Sequence, residues 1–211
     1  MLFCLAGALS VPAQSNYYEN EPKLFEGGIL LGAVFSQIDG DTYFGYHKVG
    51  VNFGGRVYAH FTPVFGASLE IQYAQKGSRG EAVLESPTIG TYVTKYYMNV
   101  NYVEVPLTLH AILYTIDLEA GVSYARLVRS KEWILADKPV VIDPEKARFN
   151  TTDFGYVFGI GRRVYKGLHA NLRFQYSMVS IRPPERIPTN QGYGNIGQFN
   201  NLFNFRLIYL F

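Results

Sequence analysis

Apolar and polar residues alternate with period two along eight segments of the chain, near 27–38, 48–60, 66–77, 98–111, 117–129, 152–164, 168–180 and 201–211. In the second segment Val49, Val51, Phe53 and Val57 share one face, while Asn52, Arg56, Tyr58 and His60 share the other. In the seventh, Leu168, Ala170, Leu172, Phe174 and Tyr176 oppose His169, Asn171, Arg173, Gln175 and Ser177. Alternation sustained over such lengths predicts strands, because successive side chains of a strand point to opposite faces.

The makeup of the two faces separates a soluble sandwich from a membrane barrel. A soluble sheet turns its apolar face inward and its charged face to water. Here the apolar faces are continuous and end in aromatics, whereas the polar faces mix charges with Gly, Ser and Ala, as a narrow, crowded interior requires. Charged residues make up 17% of the chain and aromatic residues 16%, which shifts the composition away from that of a soluble domain. The apolar runs, such as residues 27–35, are too short to cross a bilayer as helices. A barrel strand needs only every second residue apolar. The formal charge of +2 and the lack of a basic stripe argue against a nucleic-acid partner.

Connections alternate between long and short. Residues 39–47, 78–97, 130–151 and 181–199 read as long polar loops, and the regions of Thr62-Pro63, Tyr114-Thr115 and Lys166-Gly167 as tight turns. This predicts an all-β fold: an eight-stranded antiparallel up-and-down transmembrane β-barrel over 26–211, with both termini in the periplasm and outer-membrane lipid around it. The closing stretch NLFNFRLIYLF then pairs with the first strand, so that no edge is left open. Pro106 falls within a strand and lacks a ladder donor, so a bulge is expected there.

Residues 1–13 read as a signal peptide cut after Ala13, without the basic residue that opens such leaders, and 14–25 as a periplasmic segment. Cys4 is the single cysteine and would leave with the leader, so no disulfide, cysteine metal site or cysteine nucleophile is expected.

The stretch VGVNFGGRVYAHFTPVFGASLEIQYAQKGS (49–78), the run NYVEVPLTLHA (101–111) with its Tyr102, Glu104 and Pro106, the segment LRFQYSMVSI (172–181) and the closing strand resemble the PorT-like outer-membrane β-barrel family of Bacteroidota. The resemblance implies an outer-membrane location and a part in a multiprotein machine, of the type IX protein secretion kind or one for outer-membrane protein assembly. It also implies other outer-membrane or periplasmic proteins as partners. The carboxyl-terminal pattern Phe205, Leu207, Tyr209 and Phe211 resembles the signal that barrel-assembly machinery recognises during insertion.

Eight strands enclose an interior just wide enough to be filled by side chains. The inward set expected to fill it is Arg56, Glu70, Lys76, Glu104, Glu119, Arg163, Arg173 and Arg206, joined by His60 and His110. Both signs are present, which suits an ion-paired plug; a gated polar path or proton relay is the alternative. A stand-alone barrel that binds a surface ligand or passes small solutes is the second functional reading, and a lipid-modifying enzyme the third. For the enzyme, no Ser–His–acid group assembles on one rim from the sequence, so no catalytic residue is expected. Nor is a cofactor or metal: Asp39, Asp41 and Asp143 lack the ligand spacing of a calcium loop and read as turns. Trp133, Ile134 and Leu135 read as an exposed loop that either docks a partner or folds over the barrel mouth.

Overall fold

The computed structural model describes residues 23–86, 90–136, 145–188 and 195–211. The expected leader, most of the 14–25 segment and Asp143 lie outside the described residues. Eight strands run in chain order around a closed ring: β1 (Phe25–Asp39), β2 (Lys48–His60), β3 (Phe65–Ser86), β4 (Gly90–Leu113), β5 (Ile116–Ala136), β6 (Thr152–Tyr165), β7 (Leu168–Ser177) and β8 (Phe199–Leu210). Each strand pairs antiparallel with its neighbours, and β8 closes on β1 with Gly32 opposite Arg206 and Phe35 opposite Phe203. Side chains such as Ile29, Leu31, Phe53, Ile71, Leu107, Phe158 and Phe205 face outward and stay exposed, while Glu70, Arg173 and Arg206 on alternate positions are buried inside. The predicted alternation therefore sorts apolar residues toward lipid and charged residues toward the lumen.

One end of the ring, here the turn end, holds both barrel termini and three short turns. At the first turn, the Thr62 hydroxyl accepts hydrogen bonds from the Val64 and Phe65 amides. The Tyr114-Thr115 turn puts Tyr114 at φ 58, and the Lys166-Gly167 turn puts Gly167 at φ 71. These left-handed residues match the twist that two-residue hairpins demand.

The opposite, loop end departs from expectation. Residues 78–86 and 90–97 are strand rather than loop, and β5 runs on through 130–136. A span of 9–11 residues suffices to cross the hydrocarbon, so β3, β4 and β5 rise well beyond it as a three-stranded overhang. Gly and Ser in KGSRG imitate a turn, yet Arg79 pairs with Tyr97 and Glu81 with Lys95 in unbroken register. Trp133, Ile134 and Leu135 accordingly lie on β5, opposite Tyr97, Tyr96 and Lys95. Nor does Pro106 produce a bulge. The β3–β4 register is the same on both sides of it, with Leu69 opposite Leu107 and Gln72 opposite Glu104. The pairing simply lapses where the missing N–H would have bonded. The register shift lies instead between β4 and β5 at Asn101/Tyr102, where Val128 is skipped and Val128 and Arg129 are both exposed.

Candidate functional site

The lumen is filled at three levels. At the central one, Arg173 grips two carboxylates from different strands. Its Nη1 and Nη2 donate to the two Glu70 oxygens at 2.9 and 3.0 Å, and its Nε and Nη2 donate to Glu119 at 2.7 and 3.0 Å. Arg206 reaches the same pair, 2.9 Å to Glu70 and 3.1 Å to Glu119, and also donates to Asn171 Oδ1. Arg56 Nε lies 3.7 Å from Glu70. Side chains from β2, β3, β5, β7 and β8, strands on opposite sides of the ring, thus converge on one buried cluster. Burying charge is costly unless each is paired and hydrogen-bonded, and Arg173, Arg206, Glu70 and Glu119 meet that condition through forked guanidinium contacts, while Arg56 Nε is left without a hydrogen bond. Room for it comes from glycine: a Cβ on Gly159 would stand 2.3 Å from Glu119 Oε1.

The second level joins Lys76 to Glu104 in a buried ion pair, with Asp153 at 3.9 Å. Gln72 and Gln175 donate to Glu104, and Ser177 and Asn200 donate to Asp153.

The third level caps the loop end. Arg182 donates to both Glu132 oxygens at 2.7 and 2.9 Å, to Gln198 and to the Ala147 carbonyl, and lies 4.3 Å over the Phe149 ring. The Tyr96 hydroxyl donates to the same Glu132 carboxylate. Burial would lower the Arg182 pKa, but the Glu132 carboxylate reverses this and raises it above its ordinary value. Tyr43 stacks on Tyr96 at 4.7 Å, and Ile38, Met98, Val100 and Ile181 complete an apolar cluster around them. Asp41 sits beside it, 2% exposed, with Oδ1 accepting from the Tyr43 amide; burial pushes its carboxyl pKa up to about 7.

Of the expected inward set, Arg56, Glu70, Lys76, Glu104, Glu119, Arg173 and Arg206 lie in these buried levels. Arg163 does not. It is exposed at the open turn end, where it lines a cavity of about 510 Å³ together with Arg56, Tyr58, His60 and His169, just before the β6–β7 register shifts. The docking trio also divides. Trp133 is stacked on Tyr97, Ile134 packs against the apolar cap, and Leu135 is the member left exposed.

A Ser–His–acid group, not expected from the sequence, does come together at the turn end. Ser68 Oγ lies 3.0 Å from His110 Nε2, and His110 Nδ1 lies 2.9 Å from Asp117. Its chemistry is blocked by a neighbour. Arg56 Nη2 stands 2.8 Å from the same Nε2 and can only donate, so it occupies the lone pair that would take the serine proton. Thr108 competes for that nitrogen at 3.0 Å, and Ser68 and His110 are buried away from the cavity. Among the described residues no group of three His, Cys, Asp or Glu is placed to hold a metal ion.

No curated protein matches the chain in sequence. Among solved structures it is similar to Ail, the attachment invasion locus protein of Yersinia pestis, solved in complex with the heparin analogue sucrose octasulfate. The two are 13% identical over 89% of this chain and 99% of that one, with a TM-score of 0.45. It is also similar to OprG from Pseudomonas aeruginosa, 11% identical over 88% of this chain and 94% of that one, with a TM-score of 0.30. Similarities this distant carry no functional argument. The family model for the outer membrane protein beta-barrel domain, by contrast, matches residues 1–210. With eight antiparallel strands closed into a ring, an apolar exterior and a charged lumen, the chain belongs to the outer membrane protein beta-barrel domain family and is an integral barrel of the bacterial outer membrane.

Proposed function

We propose that the protein is a non-enzymatic accessory subunit of an outer-membrane multiprotein machine, one for protein secretion of the type IX kind or for outer-membrane protein assembly. One observation carries this reading: the lumen is closed by ionic and apolar packing at three separate levels, leaving the outer surfaces for function. Such a barrel contributes a rigid membrane-embedded wall and an extramembrane overhang to partner proteins. The orientation that suits this role has the turn end and both termini in the periplasm and the loop end outside, as short turns on one side and longer connections on the other favour. In this reading Phe205, Leu207, Tyr209 and Phe211 form the insertion signal, and Leu135 with the neighbouring overhang contributes to partner contacts. Arg56 blocking His110 weighs against the enzyme reading.

The test is affinity purification of the tagged protein from native membranes in mild detergent, followed by mass spectrometry. Stoichiometric recovery of a larger outer-membrane assembly is the expected result. A lone barrel, under conditions that keep other assemblies intact, would sink the subunit reading.

A further inference from the structure

On the outward face of the overhang, Arg79, Tyr97 and Trp133 stand side by side in one row across β3, β4 and β5. The Arg79 guanidinium lies 5.0 Å from the Tyr97 ring centroid, the two rings stack at 5.2 Å and 9°, and Lys131 Nζ lies 5.2 Å from the Trp133 ring. The four side chains form a cation–ring–ring–cation stack. Cations over aromatic faces are held in place by attraction to the rings, so these two are fixed charges rather than free tethers.

Below the stack, toward the apolar belt, Arg129 pairs with Asn101 and Arg126 with Val103. Val103 lies at the loop-side limit of the outward aliphatic run that includes Leu107 and Leu109. The cations therefore occupy successive rows from the edge of that belt to about 20 Å along the strand from it, at roughly 3.3 Å per residue. Lys95 is matched by Glu81 at 3.0 Å, farther along the overhang from the belt. The opposite wall at the loop end presents Tyr176, Phe199 and Phe203 instead. The charge is thus one-sided, continuous with the lipid-facing surface, and of the height where head groups begin.

We infer that this face binds the phosphate groups of a phosphorylated glycolipid of the outer leaflet, with Arg126, Arg129 and Lys131 on the phosphates and the Arg79–Tyr97–Trp133 row bordering the sugars. Charge complementarity and continuity with the acyl-facing belt select a lipid head group as occupant. The assignment rests on the orientation proposed above, with the loop end outside.

Two measurements separate the site from the orientation. A Leu135→Cys variant, whose single other cysteine Cys4 lies in the expected leader, is exposed to a membrane-impermeant maleimide in intact and in permeabilised cells. Labelling in intact cells upholds the orientation; labelling only after permeabilisation overturns it and the outer-leaflet assignment together. The purified protein is then titrated with lipopolysaccharide and with its dephosphorylated form. Emission of Trp133, the chain's only tryptophan, serves as the readout. The expected result is binding that weakens with added salt and falls about tenfold or more on phosphate removal or in the Arg79→Gln, Arg126→Gln, Arg129→Gln, Lys131→Gln variant, read for that variant by retention on immobilised lipid. Unchanged heat-modifiable gel mobility verifies that the variant is folded. Equal binding of both lipid forms, or of both proteins, would overturn the site with the orientation intact.

Discussion

Arg182, from the connection between β7 and β8, holds Glu132 of β5 through a two-pronged salt bridge that spans 50 positions in sequence. Arg182 is fully buried, and Glu132 also receives the Tyr96 hydroxyl. Together with Ile181 in the apolar cluster, the pair ties the connection that carries the 3-10 turn at Pro184–Arg186 to the overhang. Removing Arg182 alone leaves a carboxylate without its counter-ion beneath the cap. Arg182→Ala is expected to destabilise the loop end by about 3–5 kcal/mol, whereas Arg182→Met combined with Glu132→Leu costs less than either single change. Limited proteolysis of 181–199 and urea unfolding in detergent check the ordering; a double variant as weak as the sum of the two singles would refute the coupling.

The stacked ionic levels make a prediction about current. The wild-type barrel in a planar bilayer is expected to be insulating. Arg173→Ala with Glu119→Ala stays insulating, because Lys76–Glu104 and the Arg182 cap still fill the lumen above it. Steps are expected only when residues of all three levels are truncated together. Ohmic steps in the wild type would restore the solute-pore reading.

Asp41 sets a pH dependence at the loop end. Its carboxyl is raised by burial from an ordinary 3.8 to about 7, so the folded protein holds this proton more tightly than the unfolded chain does. The stabilisation is fully present below the ordinary value and is lost as pH rises through about 7, over a span worth on the order of 4 kcal/mol. The cap is therefore tighter at pH 5 than at pH 8. Asp41→Asn flattens the profile between those values, as proteolysis rates of the loop end against pH would reveal; an unchanged slope in the variant would assign the effect to another group.

Ser68 is expected not to react with a fluorophosphonate probe in the folded protein, because Arg56 occupies His110 Nε2. Arg56→Ala leaves Ser68 buried and is expected to stay unreactive as well. Mass-spectrometric detection of a Ser68 adduct in the wild type would reopen the hydrolase reading.

The strands and their inward sets were legible because period two persists wherever one face meets lipid. Arg173 and Glu70 could be placed in the lumen from their neighbours alone. Beyond the membrane that signal changes sense, since the outward face of the overhang carries charges and rings while its inward face is buried and largely apolar; Gly77, Ser78 and Gly80 then look like a turn although they pair with β4. The alternation of Tyr96, Met98, Val100 and Tyr102, all buried, was the cue that the strand began earlier. Arg182 had no periodic context in its proline-rich connection. The Ser68–His110–Asp117 grouping depends on the cross-strand register of three strands, which the residues of any one strand do not encode. Pro106 was misjudged because a missing donor need not add a residue; an interrupted ladder suffices.

The central cluster takes its acids from Glu70 and Glu119 and two of its three guanidinium groups from Arg173 and Arg206, on the last two strands of the barrel. A nascent chain that has threaded β1 to β6 thus encloses two carboxylates with Arg56 alone to answer them. Only arrival of β7 and β8 supplies the guanidinium groups that pair both acids, and only then does the ring shut on β1. A chain cut short before β7 therefore keeps both acids and loses the two guanidinium groups that fork onto them, so the strands that close the ring are also the ones that neutralise its centre.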